Sequence, residues 1–282
     1  MTAMLSELPL AIFTTLAPVG AGAFIALAAV QCAGAFPAQE QGTRALKLMW
    51  VPLALVLAGF IASAFHLAAP GNMLHVAEGI GRSPLSNEVT AGGLFFVVAA
   101  AYWIAASSGK LGDAALKAFG IAAGALGVVF AVFTGLAYMM ETIPTWNSPL
   151  NIVAMIGYAL VGGAALGLIM LDGDDRPFGR VLSALALIGC VLAFIGVIGV
   201  AAFASGLTSP IAAGSDLVAG ALPMIVLGLA LIAAASVLSM IAASRPGKPS
   251  AAYLSLLLAV IGVLLARFAF YALQMSVGIS LM

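Results

Sequence analysis

Residues 46–67 read LKLMWVPLALVLAGFIASAFHL, and the reading of this stretch decides the fold. Between Lys47 and His66 there is no charged residue. Coiled as an α-helix at 1.5 Å per residue, the segment spans about 33 Å, enough to cross a hydrocarbon core about 30 Å thick. Its apolar residues are continuous and do not alternate, which excludes a barrel strand. His66 stands at the far end, with Ser63 three residues earlier on the same helical face. A histidine there either rests in the membrane interface against water or serves a site, and the rest of the sequence bears on the choice.

Seven further runs have the same character. The eight predicted spans are 9–35, 46–67, 89–107, 116–140, 150–171, 180–204, 217–243 and 251–280. Across all 282 residues, 64% are hydrophobic and 7% charged. A water-soluble fold carries roughly 25% charged residues, so the reading is an all-α, polytopic membrane protein with a single domain over 1–282. Short connections predict that consecutive helices are antiparallel neighbours, and glycine pairs such as those in GIAAG (120–124) and GAALG (163–167) predict close helix contact. The opening MTAMLSELPLAIFTT lacks a basic stretch and leads into a run longer than a signal peptide's apolar region, so it reads as a retained helix.

Loop charges set the expected orientation. Arg44, Lys47, Lys110, Lys117, Arg176, Arg180, Arg245 and Lys248 fall on one side, and Arg82 alone on the other. By the positive-inside rule the basic side is cytoplasmic, which places both termini outside. The zero net charge gives no electrostatic footprint for nucleic acid. Cys32 and Cys190 are too few for an iron–sulfur cluster and lie in apolar runs as small packing residues. The two histidines, one of them the loop residue His75 near Glu78, do not suit a bis-histidine haem between facing helices.

Polar chemistry gathers on the side opposite the basic loops. SPLSNEV (83–89) opens the third span, with Ser86 as its expected N-cap and Glu88 in its first turn, where the helix dipole favours a carboxylate. His66 and Glu88 then share a depth and a hairpin, and a carboxylate near an imidazole can orient it and pass its proton on. In the last span Arg267, Tyr271 and Gln274 follow at i, i+4 and i+7 on one expected face. A guanidinium at that depth faces the bundle interior or a wet cavity, either as a clamp between helices or as a ligand contact.

Several of these segments, in order, resemble the dimethyl sulfoxide reductase membrane-anchor family: ELPLAIFTTLAPVGAGAFIALA (7–28), GFIASAFHLAAP (59–70), SPLSNEV, IPTW (143–146) and RFAFYALQMSVG (267–278). The resemblance runs from the first span to the last, and the middle spans match only in hydropathy. It implies an anchor in the cytoplasmic (inner) membrane, with eight helices and both termini in the periplasm. It implies that the subunit binds menaquinol, oxidises it and passes electrons to a four-cluster iron–sulfur subunit, which works with a molybdopterin catalytic subunit on the outer face. The family's important histidine and glutamate match His66 and Glu88, and the family carries no haem. On this reading His66 accepts the quinol proton and Glu88 orients it. Ser63, Ser86, Arg267, Tyr271 and Gln274 would then line the pocket. Two alternatives stay open: a transporter, suggested by Pro18, Pro52 and Pro223 within spans, and a purely structural anchor.

Overall fold

The computed structural model describes residues 7–35, 39–65, 76, 78–171, 178–244 and 249–275. His66, His75, Arg176, Arg245 and Lys248 lie outside the described residues. The elements are α1 (Leu8–Cys32), α2 (Gln39–Leu48), α3 (Trp50–Ala64), α4 (Pro84–Ser108), α5 (Asp113–Leu136), a 3-10 turn (Pro144–Trp146), α6 (Leu150–Met170), α7 (Gly179–Ser205), α8 (Gly214–Ser244) and α9 (Pro249–Ala272). Eight helical stretches are long and apolar enough to cross a membrane, the second running Arg44–Ala64 through the break at Met49. Among the described residues the only strand-like pairing is the bridge Thr208–Ala213. The protein is all-helical and multi-pass.

The bundle is built around α1 and α6, which are enclosed along most of their length, whereas the other spans present an apolar face outward. Leu57, Val97, Ile104, Ile198, Val226 and Leu257 are exposed large apolar residues on that outer surface. In lipid such a face has no drive to hide, so helix association rests on close packing and polar links. Glycines supply the close approach. A Cβ on Gly22 would collide with the Ala159 carbonyl, and one on Gly163 would collide with the Gly22 carbonyl. The α1–α6 backbones therefore meet directly.

Neighbours in sequence are neighbours in space with one exception. α1 packs on α3, α5 and α6, α4 on α5, and α6 to α9 form a consecutive series, but α3 and α4 touch at only a few points. The expectation that consecutive spans are close neighbours is therefore corrected for the second and third. The connection between them is the longest between two spans, and each helix finds its main partner elsewhere.

Two helix ends also differ from expectation. α4 starts at Pro84, five residues before the predicted 89, because Ser83 is its N-cap. Ser83 has extended backbone angles, its side chain accepts from the Ser86 amide, and Pro84 occupies the first turn, where a missing N–H costs nothing. At the other end of the sequence, α9 closes at Ala272 and not 280, through tight turns from Leu273 N–H to Phe270 and from Gln274 N–H to Tyr271.

At the basic end the helices are tied by single links. The Arg44 Nε–H donates to the Ile169 carbonyl (3.3 Å), and the Trp103 Nε1–H to the Leu46 carbonyl (2.9 Å). α8 and α9 share a Ser239–Ser255 hydroxyl pair at 2.8 Å. The helices run unbroken through Pro18 and Pro223, so neither proline splits its span into half-helices.

Replacing Gly163 by Ala forces α1 and α6 apart and lowers stability by about 1–3 kcal/mol, the usual cost of overpacking. Gly220→Ala, where a Cβ meets open space, is the matched control and leaves stability unchanged. Thermal unfolding of the detergent-solubilised protein reads both.

Candidate functional site

The end of the bundle opposite the basic loops holds a layer of buried polar side chains. Glu88 on α4 (3% exposed), Thr134 on α5, Thr14 on α1, and Arg267 (1% exposed) and Tyr271 on α9 lie within two turns of their helix ends. A charge at such a depth survives only if the protein replaces its water.

For Arg267 it does. The Nε–H donates to Thr14 Oγ1 at 2.8 Å and Nη2–H to the Tyr271 hydroxyl oxygen at 3.0 Å. Thr14 donates its own proton to the Leu10 carbonyl (2.7 Å), so its oxygen is free to accept. Tyr271 pairs with the Tyr138 hydroxyl at 2.5 Å, just beyond the end of α5. Three rings complete the cage, with the guanidinium carbon 4.2 Å from the Phe270 centroid and 4.8 Å from those of Tyr138 and Tyr271. Planar guanidinium suits this combination of stacking and forked donation in a way that an ammonium does not.

The segment before α6 locks the cage in place. The Thr145 hydroxyl donates to the Leu273 carbonyl (2.6 Å), and the Trp146 Nε1–H adds a second donor to the Phe270 carbonyl (3.0 Å), which already accepts from the Leu273 N–H. The Trp146 ring stacks on Phe270 at 5.0 Å, and Asn151 Nδ2–H holds the Trp146 carbonyl at 2.5 Å.

Glu88 contrasts with Arg267. One of its carboxyl oxygens, Oε1, is buried and has no hydrogen-bond partner among the described residues. Thr134 lies within hydrogen-bonding reach of the carboxyl group, and the charge of Arg267 acts on it. The Thr134 hydroxyl also donates to the Phe130 carbonyl of its own helix at 3.0 Å, so its single proton is already engaged there. One turn inward from Glu88, Gly92 leaves room for the rings of Phe60 and Phe130, where a Cβ would come within 2.5 and 2.6 Å. These rings stack at 5.8 Å, and Phe95 stacks on Phe130 at 6.0 Å.

The expected site residues are placed as follows. Arg267 and Tyr271 share the cage, and Glu88 lies at its depth. Ser86 is buried but is not the N-cap, and the first turn of α4 contains no acid: counted from Ser83, Glu88 belongs to the second turn. Gln274 is exposed beyond the end of α9 and does not share the Arg267 face, because the backbone leaves the helical path at Ala272. Ser63 is half-buried in the last turn of α3, apart from the cage. His66 lies outside the described residues, and so does its relation to Glu88. Thr14, Thr134, Tyr138 and Trp146 complete the layer without having been singled out. The signal they carried was a shared depth, each hydroxyl or indole lying near the same end of its span. Among the described residues no three His, Cys, Asp or Glu side chains converge on a metal position.

Comparison with known proteins extends over nearly the whole sequence. Residues 1–273 match the family model described as DMSO reductase anchor subunit (DmsC). The protein is 31% identical over 288 residues to the YnfH polypeptide of an anaerobic dimethyl sulfoxide reductase from Escherichia coli, covering 98% of this sequence and 97% of that one. It is 30% identical over 283 residues to the C subunit of the anaerobic dimethyl sulfoxide reductase of Haemophilus influenzae, with 98% of each covered. Against the Escherichia coli protein of that same name the identity is 30% over 279 residues, covering 97% of each.

Arg267→Lys keeps the charge but loses the fork and the stacking. It is expected to lower stability by roughly 1–3 kcal/mol, the range for a charged hydrogen bond plus a desolvated cation–π contact. The fall in thermal midpoint of the purified subunit, compared with Tyr271→Phe, which removes the hydroxyl bonds to Arg267 and Tyr138 but keeps the ring and the charge, checks this.

Proposed function

This protein belongs to the DMSO reductase anchor-subunit family, a multi-pass protein of the bacterial inner membrane that works with catalytic and iron–sulfur subunits, and from that premise we propose that it oxidises menaquinol at Glu88. The observation that carries the proposal is the buried Glu88 carboxyl oxygen without a partner among the described residues, one helical turn from Gly92, against which the Phe60 and Phe130 rings pack. Menaquinol releases two electrons and two protons on becoming menaquinone. A carboxylate oxygen at hydrogen-bond distance from a quinol hydroxyl positions and receives such a proton.

In this reading His66, two residues beyond α3, takes a quinol proton, Glu88 orients it and hands the proton to water at the same end, and the second proton leaves by the same pair once His66 has been deprotonated. Arg267 and Tyr271 act from behind Glu88 as a fixed positive wall, and Ser86 holds the first turns of α4. Ser63, in the last turn of α3 and three residues before His66 in sequence, lines the pocket, while Gln274, exposed past α9, sits at the rim. The electrons leave to a four-cluster iron–sulfur subunit docked on the outer face, and a molybdopterin subunit beyond it reduces the terminal acceptor. Both termini lie on that same outer side, away from the basic loops. The apolar tail of the quinol stays in lipid.

Glu88→Gln and, separately, His66→Arg in the assembled complex are expected to lower quinol-driven turnover by about 100-fold or more, the usual contribution of general acid–base catalysis. Turnover with an artificial electron donor that feeds the iron–sulfur subunit directly is retained. Normal quinol turnover in both variants would reduce this subunit to a structural anchor, with the quinol site elsewhere.

A further inference from the structure

Glu88 and Thr134 face each other across the α4–α5 contact. The two helices are joined by the short connection 109–112 and run antiparallel. Their register is fixed one turn inward, where Gly92 of α4 meets the Phe130 ring: a Cβ on Gly92 would come within 2.6 Å of it. Glu88 stands one turn before Gly92, and Thr134 one turn after Phe130. In antiparallel helices those two steps lead the same way, so the carboxyl and the hydroxyl share a level. Both side chains are buried, and the hydroxyl lies within hydrogen-bonding reach of the carboxyl.

Thr134 is not committed to its present partner. Its hydroxyl donates to the Phe130 carbonyl at 3.0 Å. That carbonyl lies inside α5 and already receives the Thr134 amide in the regular helical pattern. Withdrawing the hydroxyl proton leaves it satisfied, so the proton is free to turn elsewhere at little cost. The other groups around Glu88 lack that freedom. Arg267 spends Nε–H and Nη2–H on Thr14 and Tyr271 and acts on Glu88 through its charge. Tyr138, one turn beyond Thr134, is held by Tyr271. The Phe60 ring that α3 brings to Gly92 offers no hydrogen bond.

We propose that Thr134 is the positioning residue of Glu88: its hydroxyl serves both protonation states of the carboxyl and leaves one carboxyl oxygen open to a ligand. The inference rests on menaquinol oxidation at Glu88. While Glu88 is ionised, the Thr134 proton turns from the Phe130 carbonyl to the carboxylate. When His66 releases a quinol-derived proton to Glu88, an N–H bond breaks and a carboxyl O–H bond forms, with no electron moved. The neutral acid then donates to Thr134 Oγ1, and the threonine proton returns to Phe130. A hydroxyl is donor and acceptor at once, so a single side chain answers both states of a buried carboxyl.

Infrared spectroscopy of the assembled complex tests this separately from turnover. The difference between acid and alkaline samples contains the C=O band of protonated Glu88, identified by its loss in Glu88→Gln. In Thr134→Val, which keeps the branched shape and removes the hydroxyl, that band is expected to move to higher wavenumber. Quinol-driven turnover falls about tenfold, the weight of one hydrogen bond to a charged group. Thr134→Ser keeps the hydroxyl and restores both readings. Thr134→Ala makes the same deletion with less bulk and serves where the valine variant does not assemble. The inference is overturned if the band keeps its wild-type position in Thr134→Val and Thr134→Ala, or if it moves and quinol turnover does not fall. Normal quinol turnover in Glu88→Gln overturns instead the reading on which the inference rests.

Discussion

A guanidinium held inside an apolar bundle is the constraint on which the far end of this protein depends. Arg267 cannot shed its charge, so its surroundings must supply acceptor oxygens and polarisable faces in place of water. The groups that answer it come from separate parts of the sequence: Thr14 from α1, Tyr138 from the end of α5, Phe270 and Tyr271 from α9 itself. Other contacts position these groups in turn. Trp146 stacks on Phe270, and Thr145 holds the Leu273 carbonyl. The cage therefore specifies how α1, α5, α6 and α9 register against one another at that end. The basic end is held instead by isolated links such as Trp103 to Leu46.

Placing Thr14 in that cage is a task for the whole length of α1. Nothing in a membrane drives apolar helices to leave lipid, so small residues that let backbones touch set the relative shift of two helices. The Gly22–Gly163 approach does this for α1 and α6, and the Ser239–Ser255 pair does it for α8 and α9. A slip of one residue at Gly22 would carry Thr14 away from Arg267 as well as driving backbone into backbone. The glycine contacts and the polar layer are thus two expressions of one register.

The eight spans were legible because lipid imposes a length and a composition on each segment independently of its neighbours. Arg267 and Tyr271 were legible as a pair because i and i+4 share a face whatever surrounds the helix. Gln274 was misplaced because that rule was carried past Ala272, where carbonyls engaged by Thr145 and Trp146 close the helix. The start of α4 was misread by choosing Ser86 over Ser83 as cap. The proline directly after Ser83 was the discriminating sign, since it fits the first helical turn and no later one. Thr14, Thr134 and Tyr138 were illegible for another reason. A hydroxyl in an apolar run commonly bonds its own helix, as Thr14 and Thr134 also do here, and only the packing of four helices shows which hydroxyls meet a charge.

Arg267 and Glu88 lie at similar depth and feel each other's field, yet the protein treats them oppositely. The arginine is given hydroxyl oxygens and ring faces at short distance, an environment that leaves little for a ligand to add on the Glu88 side. The carboxyl keeps an oxygen with no partner among the described residues, on a helix that packs closely against α5 but barely touches α3. A buried acceptor left open costs stability, and a fold that supplies Thr14 and Tyr271 to the cation had the means to close it with one more hydroxyl. The backbones of α3 and α4 touch at only a few points, bridged near Gly92 by the Phe60 ring of α3, the helix after which His66 comes in sequence. Under the proposed function, the cage is the fixed wall of the quinol site, and the sparsely packed α3–α4 side is where the quinol would enter.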